Sequence, residues 1–171
     1  MSPPSDYVVN SELIRAAQAG DSLAMSQMLD VLAPWVGRIC GSIALDAGPD
    51  AAQEALIQVF CDLRSLRETA AFRGWVRRIA TREAVRHAQR ERRTRELGRE
   101  REIPPASDPG LAADVRSVLE SLSPEQRAIL VLRDLEGLSE DEAAAHLEVA
   151  KGTAKSRLHR ARSAFQKRWS S

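Results

Sequence analysis

Seven cations and no acid fall between Lys151 and Trp169: Lys151, Lys155, Arg157, Arg160, Arg162, Lys167 and Arg168. The chemistry open to such a set is the binding of a polyanion, because ammonium and guanidinium groups neutralise phosphates and release their counterions. Ala154, Leu158, Ala161 and Phe165 recur at helical spacing, so one face of this helix packs on a core. The other faces carry charge and hydroxyls. A second short helical pattern, 139–147, precedes it across a tight turn. Two helices, a short turn and a basic second helix describe a helix-turn-helix that inserts its second helix in a DNA major groove. In that geometry Lys151, Thr153, Lys155, Ser156 and Arg157 meet base edges. His159 and Arg160 lie one turn further, toward phosphates, with Arg162 beyond them. If about four cations each meet a phosphate, the log-log salt slope of binding is about −3.6.

A second cationic surface lies upstream. Arg78, Arg82, Arg86 and Arg90 are each four residues apart, a guanidinium stripe rising by about 6 Å per step along a helix. Residues 73–101 hold eleven Arg against four Glu. Those four cannot neutralise the stripe, so it reads as a nucleic-acid face. The formal charge of +1 hides alternating blocks: −5 over 1–72, +7 over 73–101, −8 over 102–150 and +7 over 151–171. Two basic blocks, each closing a helical unit, predict two contacts with a polyanion.

Other chemistries find little support. His87, His146 and His159 fit no zinc spacing, and Cys40 and Cys61 form no CxxC, so no metal and no cofactor is expected. The two cysteines read as small buried hydrophobes of a reducing compartment. No P-loop and no Cys–His nucleophile pattern is present, so the chain does not read as an enzyme. No run of about 18 apolar residues stands out, so membrane insertion is not expected. The N-terminus lacks the pattern of a secretory signal, and the cytoplasm is the expected location.

The elements that position these residues are all helical. Residues 1–9, with Pro3 and Pro4, read as a loose tail. A short helix from Ser11 ends at Gly20, and Asp21 caps the next, with Pro34 leaving open whether one helix or two follow. A turn at 46–50 leads to a helix whose apolar face is Leu56, Val59, Phe60 and Leu63, continued by Ala52 and Ala55. A polar loop, 64–70, precedes the Arg-striped helix, whose core face is Phe72, Trp75, Val76 and Ile79. Residues 103–110 carry three prolines and a glycine and read as a linker. Beyond it Val115, Val118, Leu119 and Leu122 form an apolar face. Ser123 with Gln126 and Ser139 with Glu142 form capping boxes. The helix after Ser123 is expected to bury Ile129, Leu130, Leu132 and Leu135 and to stop at Gly137. The fold class is all-α: two small helical domains, 10–95 and 111–169, joined by a flexible linker, 96–110, the second domain a helix-turn-helix.

The string LSPEQRAILVLRDLEGLSEDEAAAHLEVAKGTAKSRLHRAR (122–162) closely resembles the promoter-reading C-terminal domain of bacterial RNA polymerase sigma factors, of the two-domain extracytoplasmic-function type. ALIQVFCDLRSLR (55–67) with AFRGWVRRIATREA (71–84) resembles their N-terminal domain. The resemblance implies a promoter-recognition subunit that binds core RNA polymerase, at its clamp and flap regions, and promoter DNA. It implies clamp docking through Glu54, Leu56, Ile57, Gln58, Val59, Phe60 and Leu63. It implies capture of a minus-ten base by the loop residues Ser65, Arg67, Glu68 and Thr69, with Arg78, Arg82, Arg86 and Arg90 on strand and phosphates. The helix-turn-helix would read the minus-thirty-five element. An anti-sigma factor is a common partner in the family, and no residue here identifies one. The alternative is a stand-alone helix-turn-helix regulator that binds DNA without polymerase. Two departures stand out. Ile57-Gln58 replaces the Gln-Glu pair of many members. Glu148 sits where Gly is common and Ala150 where Pro is common. A non-glycine residue at positive φ costs about 1 kcal/mol, so the turn is expected to take a different geometry.

Overall fold

The computed structural model describes residues 9–98 and 111–169. Residues 1–8 of the expected tail and 99–110 of the expected linker lie outside them. Among the described residues every regular element is helical. The chain divides into two compact units, Met1–His87 and Ala88–Ser171.

The first unit begins with α1 (Ser11–Gln18), capped by the Asn10 side chain, which accepts from Leu13 N at 2.8 Å. It ends at Gly20, whose φ of 97° suits glycine. α2 (Ser22–Ala44) is capped by Asp21, whose carboxylate accepts from Leu23 N and Ala24 N. Pro34 does not divide it: the helix is continuous, and Pro34 is exposed, so the lost backbone bond falls on the solvent side. Met28, Leu32, Trp35, Val36, Ile39, Cys40 and Ile43 are buried. One stretch, Ser22–Ser65, holds an 18-residue window with mean hydropathy 1.4, long and apolar enough to cross a membrane by composition. It is not an unbroken apolar run, since Asp30 and Arg38 interrupt α2. Here the buried side chains of α2 form the core of the first unit.

A 3-10 turn, Leu45–Ala47, returns the chain into α3 (Gly48–Asp62). A Cβ on Gly48 would lie 2.7 Å from the Gly41 Cα. That backbone approach selects small residues for the α2–α3 contact. Ala51, Ala55, Val59 and Leu63 are fully buried, while Phe60 and Ile57 are 55% and 48% exposed. The expected apolar face of α3 holds at Ala55, Val59 and Leu63 and is shifted at its other positions. Ala51 replaces Ala52 in the core, Leu56 is half-buried, and Phe60 points outward.

Two 3-10 turns, Leu63–Ser65 and Thr69–Ala71, form the loop before α4 (Phe72–Glu96). Gln18 fastens the loop, donating to the Leu63 and Leu66 carbonyls at 3.0 and 2.8 Å. Phe72, Val76, Ile79, Ala80 and Ala84 are buried, and Trp75 is half-buried against Phe72 with ring centroids 6.2 Å apart. The Arg73 and Arg77 guanidinium groups lie over the buried Trp35 ring at 5.2 and 5.8 Å, cation–π contacts that tie α4 to α2. The Cys40 thiol donates to the Ala80 carbonyl at 3.6 Å. Cys61, expected to be buried, is exposed, because it lies on the solvent side of α3.

In the second unit α5 (Leu111–Ser121) buries Val118, with Leu122 beyond its end; Val115 and Leu119 are half-buried. Arg127 is 7% exposed, and its Nη1 donates to the Leu119 and Leu122 carbonyls at 2.9 and 2.8 Å. A buried cation thus closes the C-terminal carbonyls of α5, and burial draws its pKa down. The Ser123–Gln126 capping box opens α6 (Pro124–Leu130). The helix then widens into a π-helical turn, Val131–Leu135. A π-turn inserts extra arc and rotates the residues after it. Leu135, expected in the core, is 58% exposed, Leu130 is half-buried, and Leu138 is buried instead. Arg133 spans the same turn, its Nη1 donating to the Leu138 carbonyl. The Ser139–Glu142 box opens α7 (Glu140–His146). Glu148 then takes φ 54°. The turn keeps the left-handed geometry, contrary to expectation, and carries the strain in Glu148. The next helix is α8 (Lys151–Trp169). Ile129, Leu132, Leu138, Ala143, Ala144, Ala154 and Leu158 form one buried cluster, with Leu147 and Val149 against it.

Three outcomes are expected. Gly48→Ala should destabilise by about 1–3 kcal/mol in urea unfolding, since backbone rather than a side-chain tip must yield. Glu148→Gly should stabilise by up to about 1 kcal/mol by relieving the left-handed strain; an unchanged melting temperature would argue against strain there. In native protein at pH 8, a thiol reagent should label Cys61 and spare Cys40, whose pKa burial and the nearby Glu83 charge push up to about 12. Denaturation should expose both thiols.

Candidate nucleic-acid interface

α8 presents two faces because its sequence has two. Ala154, Leu158 and Ala161 are at most 4% exposed. At about 100° per residue, Gly152, Ser156, His159 and Arg160 fall on the side opposite that buried stripe, with Thr153 and Lys155 at its two margins. All six are exposed. Arg157 lies on one flank and is half-buried. Lys151 and Arg162 share the other flank, toward α7 and the π-turn. There Lys151 Nζ meets Asp141 Oδ1 at 2.8 Å, and Arg162 Nη2 meets Asp134 Oδ1 at 2.6 Å. These hydrogen bonds raise the pKa of both cations, that of Lys151 through Asp141 and that of Arg162 through Asp134. The eight candidates on this helix are thus sorted into five exposed residues, a carboxylate-held pair on one flank and Arg157 on the other. Ala150 offers no side-chain oxygen as an N-cap for α8; its carbonyl accepts from Thr153 N and Ala154 N.

The arginine stripe on α4 is also sorted. Arg78, Arg82, Arg86 and Arg90 are all exposed. Arg86 Nη2 lies 2.5 Å from Glu83 and 3.8 Å from Glu54 on α3, and Arg82 Nε lies 3.5 Å from Glu83. Glu83 itself is 4% exposed. Arg86 therefore bridges two elements of the first unit, while Arg78 and Arg90 make no ion pair among the described residues. In the loop Ser65 Oγ donates to the Asp62 carbonyl at 2.7 Å, and half-buried Thr69 reaches Ser11 at 3.3 Å. The Arg67 and Glu68 side chains are exposed.

The seven docking candidates do not share one surface. Val59 and Leu63 are fully buried and belong to the core; a residue that packs against α2 cannot offer its side chain to another protein. Glu54, Ile57 and Phe60 face outward, with Leu56 and Gln58 half-buried. Gln58 hydrogen bonds to Asp62 one turn on. Phe60 also lines an open cavity of about 460 Å³ with Ala17, Gly20, Asp21, Ser22, Met25, Cys61 and Arg64. Leu23, next in the chain after Ser22, is 67% exposed. Periodicity alone misses this outward edge, because the α2–α3 approach inverts the usual size rule. It also misses Asp134 and Asp141, since pairs 28 and 10 residues apart leave no local signal.

Among the described residues no group of three or more His, Cys, Asp and Glu side chains could hold a metal ion. The arrangement offers cationic and apolar recognition surfaces.

The family profile described as Sigma-70 region 2 matches residues 28–94, and that described as Sigma-70, region 4 matches 112–165. The ECF RNA polymerase sigma factor SigE of Mycolicibacterium smegmatis is 39% identical over 66% of this chain, a match that covers 48% of that protein. The ECF RNA polymerase sigma-E factor of Escherichia coli is 29% identical over 94% of both chains. Among solved structures, the sigma factor RpoE of Bartonella quintana, in complex with the anti-sigma factor NepR, superposes with a TM-score of 0.64 at 27% identity, covering 85% of this chain and 96% of that one. CnrH, in complex with the cytosolic domain of CnrY, gives the same TM-score at 24% identity over 95% of each chain, a likeness of fold. The two matched regions hold the two cationic surfaces between them, and the chain belongs to the sigma-70 family, among the extracytoplasmic-function RNA polymerase sigma factors, which bind core RNA polymerase and direct transcription initiation at promoters.

Proposed function

We propose a division of labour along the chain. The outward edge of α3, from Glu54 through Ile57 to Phe60, docks on the polymerase clamp. Arg67 and Glu68 in the loop, with Arg78, Arg82 and Arg90 on α4, engage the minus-ten element. The outward face of α8 reads the minus-thirty-five element. Domains of 10–95 and 111–169, joined through 96–110, let polymerase hold both contacts on one promoter, so that two weak modules act together. The chain supplies recognition, and the bond-forming chemistry belongs to polymerase, in the cytoplasm. The anti-sigma complex of the Bartonella relative supports a similar regulatory partner here.

The observation that carries this reading is the two-faced α8. Its small apolar stripe is buried while Thr153, Lys155, Ser156, His159 and Arg160 all face out. Run-off transcription with core polymerase on promoters selected from the host genome is the test. Lys155→Ala and Arg160→Ala should each lower minus-thirty-five-dependent transcription by about tenfold, the worth of one base or phosphate contact, with core binding unchanged. Phe60→Asp should lose core binding and leave the fold intact. Core binding lost with Lys155→Ala, or kept with Phe60→Asp, would refute this assignment.

A further inference from the structure

The flank of the recognition helix carries an arrangement that helix-turn-helix function does not require. Lys151 and Arg162 lie on the same edge of α8, eleven residues apart, where the helix repeats. Each is matched by a carboxylate from a different preceding element. Asp141 comes from the first turn of α7, where the helix dipole favours an acid. Asp134 comes from the π-turn and meets Arg162 in a two-pronged contact, Nη2–Oδ1 at 2.6 Å and Nε–Oδ2 at 3.5 Å. Lys151 Nζ likewise reaches both Asp141 oxygens, at 2.8 and 3.1 Å. All four side chains are well exposed, between 38% and 70%. They serve the core little and border the exposed face of α8.

We propose that Asp134 and Asp141 set the affinity of the recognition helix for DNA by acting as built-in competitors of promoter phosphates at Arg162 and Lys151. This rests on the reading of α8 as the DNA-facing helix. The ion balance gives the proposal a measurable signature. A free cation that meets a phosphate releases the counterion condensed there, and each such event adds about 0.9 to the log-log salt slope. A cation already held by a carboxylate trades one anion for another. The phosphate releases its counterion, and the freed carboxylate gathers one from solution. The net release is zero, so Lys151 and Arg162 contribute nothing to the slope of the native chain. Within α8, Lys155 and Arg160 with Arg157 on the far flank carry the slope.

The test is salt-titrated binding of the full chain to duplex promoter DNA carrying a minus-thirty-five element. The chains compared are the native protein, the double variant D134N/D141N, the charge-retaining D134E/D141E and the control E140Q. Thermal unfolding verifies that each is folded. The double Asn variant should bind about three- to tenfold more tightly and steepen the slope by about 1.8, two cations at about 0.9 each. D134E/D141E should keep a near-native slope. E140Q, which removes an acid that forms no ion pair among the described residues, should leave the slope unchanged even if affinity rises slightly through the longer-range field. An unchanged slope in D134N/D141N, or weaker binding, would overturn the proposal; weaker binding would mean that the carboxylates hold the cations in place for DNA. Lys155→Ala in the same assay separates the two levels. If it leaves binding unaffected, the α8 reading itself fails. If it weakens binding while D134N/D141N changes nothing, only the competitor assignment fails.

Discussion

The structure depends on one close contact, the seating of α8 on the helices before it. Ala154 and Leu158 meet Ile129, Leu132, Leu138, Ala143 and Ala144 in one buried cluster, and Ala161 is buried on the same face of α8. Alanine at the facing positions lets α7 and α8 approach closely, and that approach fixes the rotation of α8 about its own axis. Every functional assignment on the helix follows from that rotation. Lys155, Ser156 and Arg160 point out because Leu158 points in. A shift of one residue would move the cations by about 100° and bury charge.

The price of that seat appears in the connections. α6 ends in a π-turn that exposes Leu135 and brings Leu138 into the core. Arg133 and Gly137, at φ 72°, hold the bend. Between α7 and α8 the chain needs a left-handed residue, and Glu148 supplies it at φ 54°. The seam outweighs a strain of about 1 kcal/mol, so the turn geometry survives a residue poorly suited to it. Buried Arg127 does similar work at the α5–α6 corner, where it closes carbonyls that the helix end leaves open.

Much of this is legible in the sequence. The helical class, both capping boxes, the faces of α4 and α8 and the two cationic surfaces follow from local spacing, and local spacing decides them. The differences between sequence and structure have non-local causes. The α3 face is partly misassigned by periodicity, which ranks residues by hydrophobicity, whereas small residues, Gly48, Ala51 and Ala55, fill the start of that face where the backbones come close at Gly41 and Gly48. Phe60 and Cys61 lie outside, whereas Ala55, Val59 and Leu63 are in the core where periodicity places them. Leu135 is moved by a π-turn, for which its own residues give no cue. The carboxylates on Lys151 and Arg162 come from other elements, so α8 looks freer in sequence than it is in the fold.

The central claim is that the outward face of α8 meets promoter DNA while the chain is bound to polymerase. Site-specific crosslinking tests it directly. A photo-crosslinker on Ser156→Cys, in a Cys61→Ser background and assembled with core polymerase on a promoter fragment, should attach to duplex DNA at the minus-thirty-five element. The same probe on Gln27→Cys, an exposed α2 site, should not. Crosslinks from position 156 that map only to polymerase, or to DNA outside that element, would contradict the account.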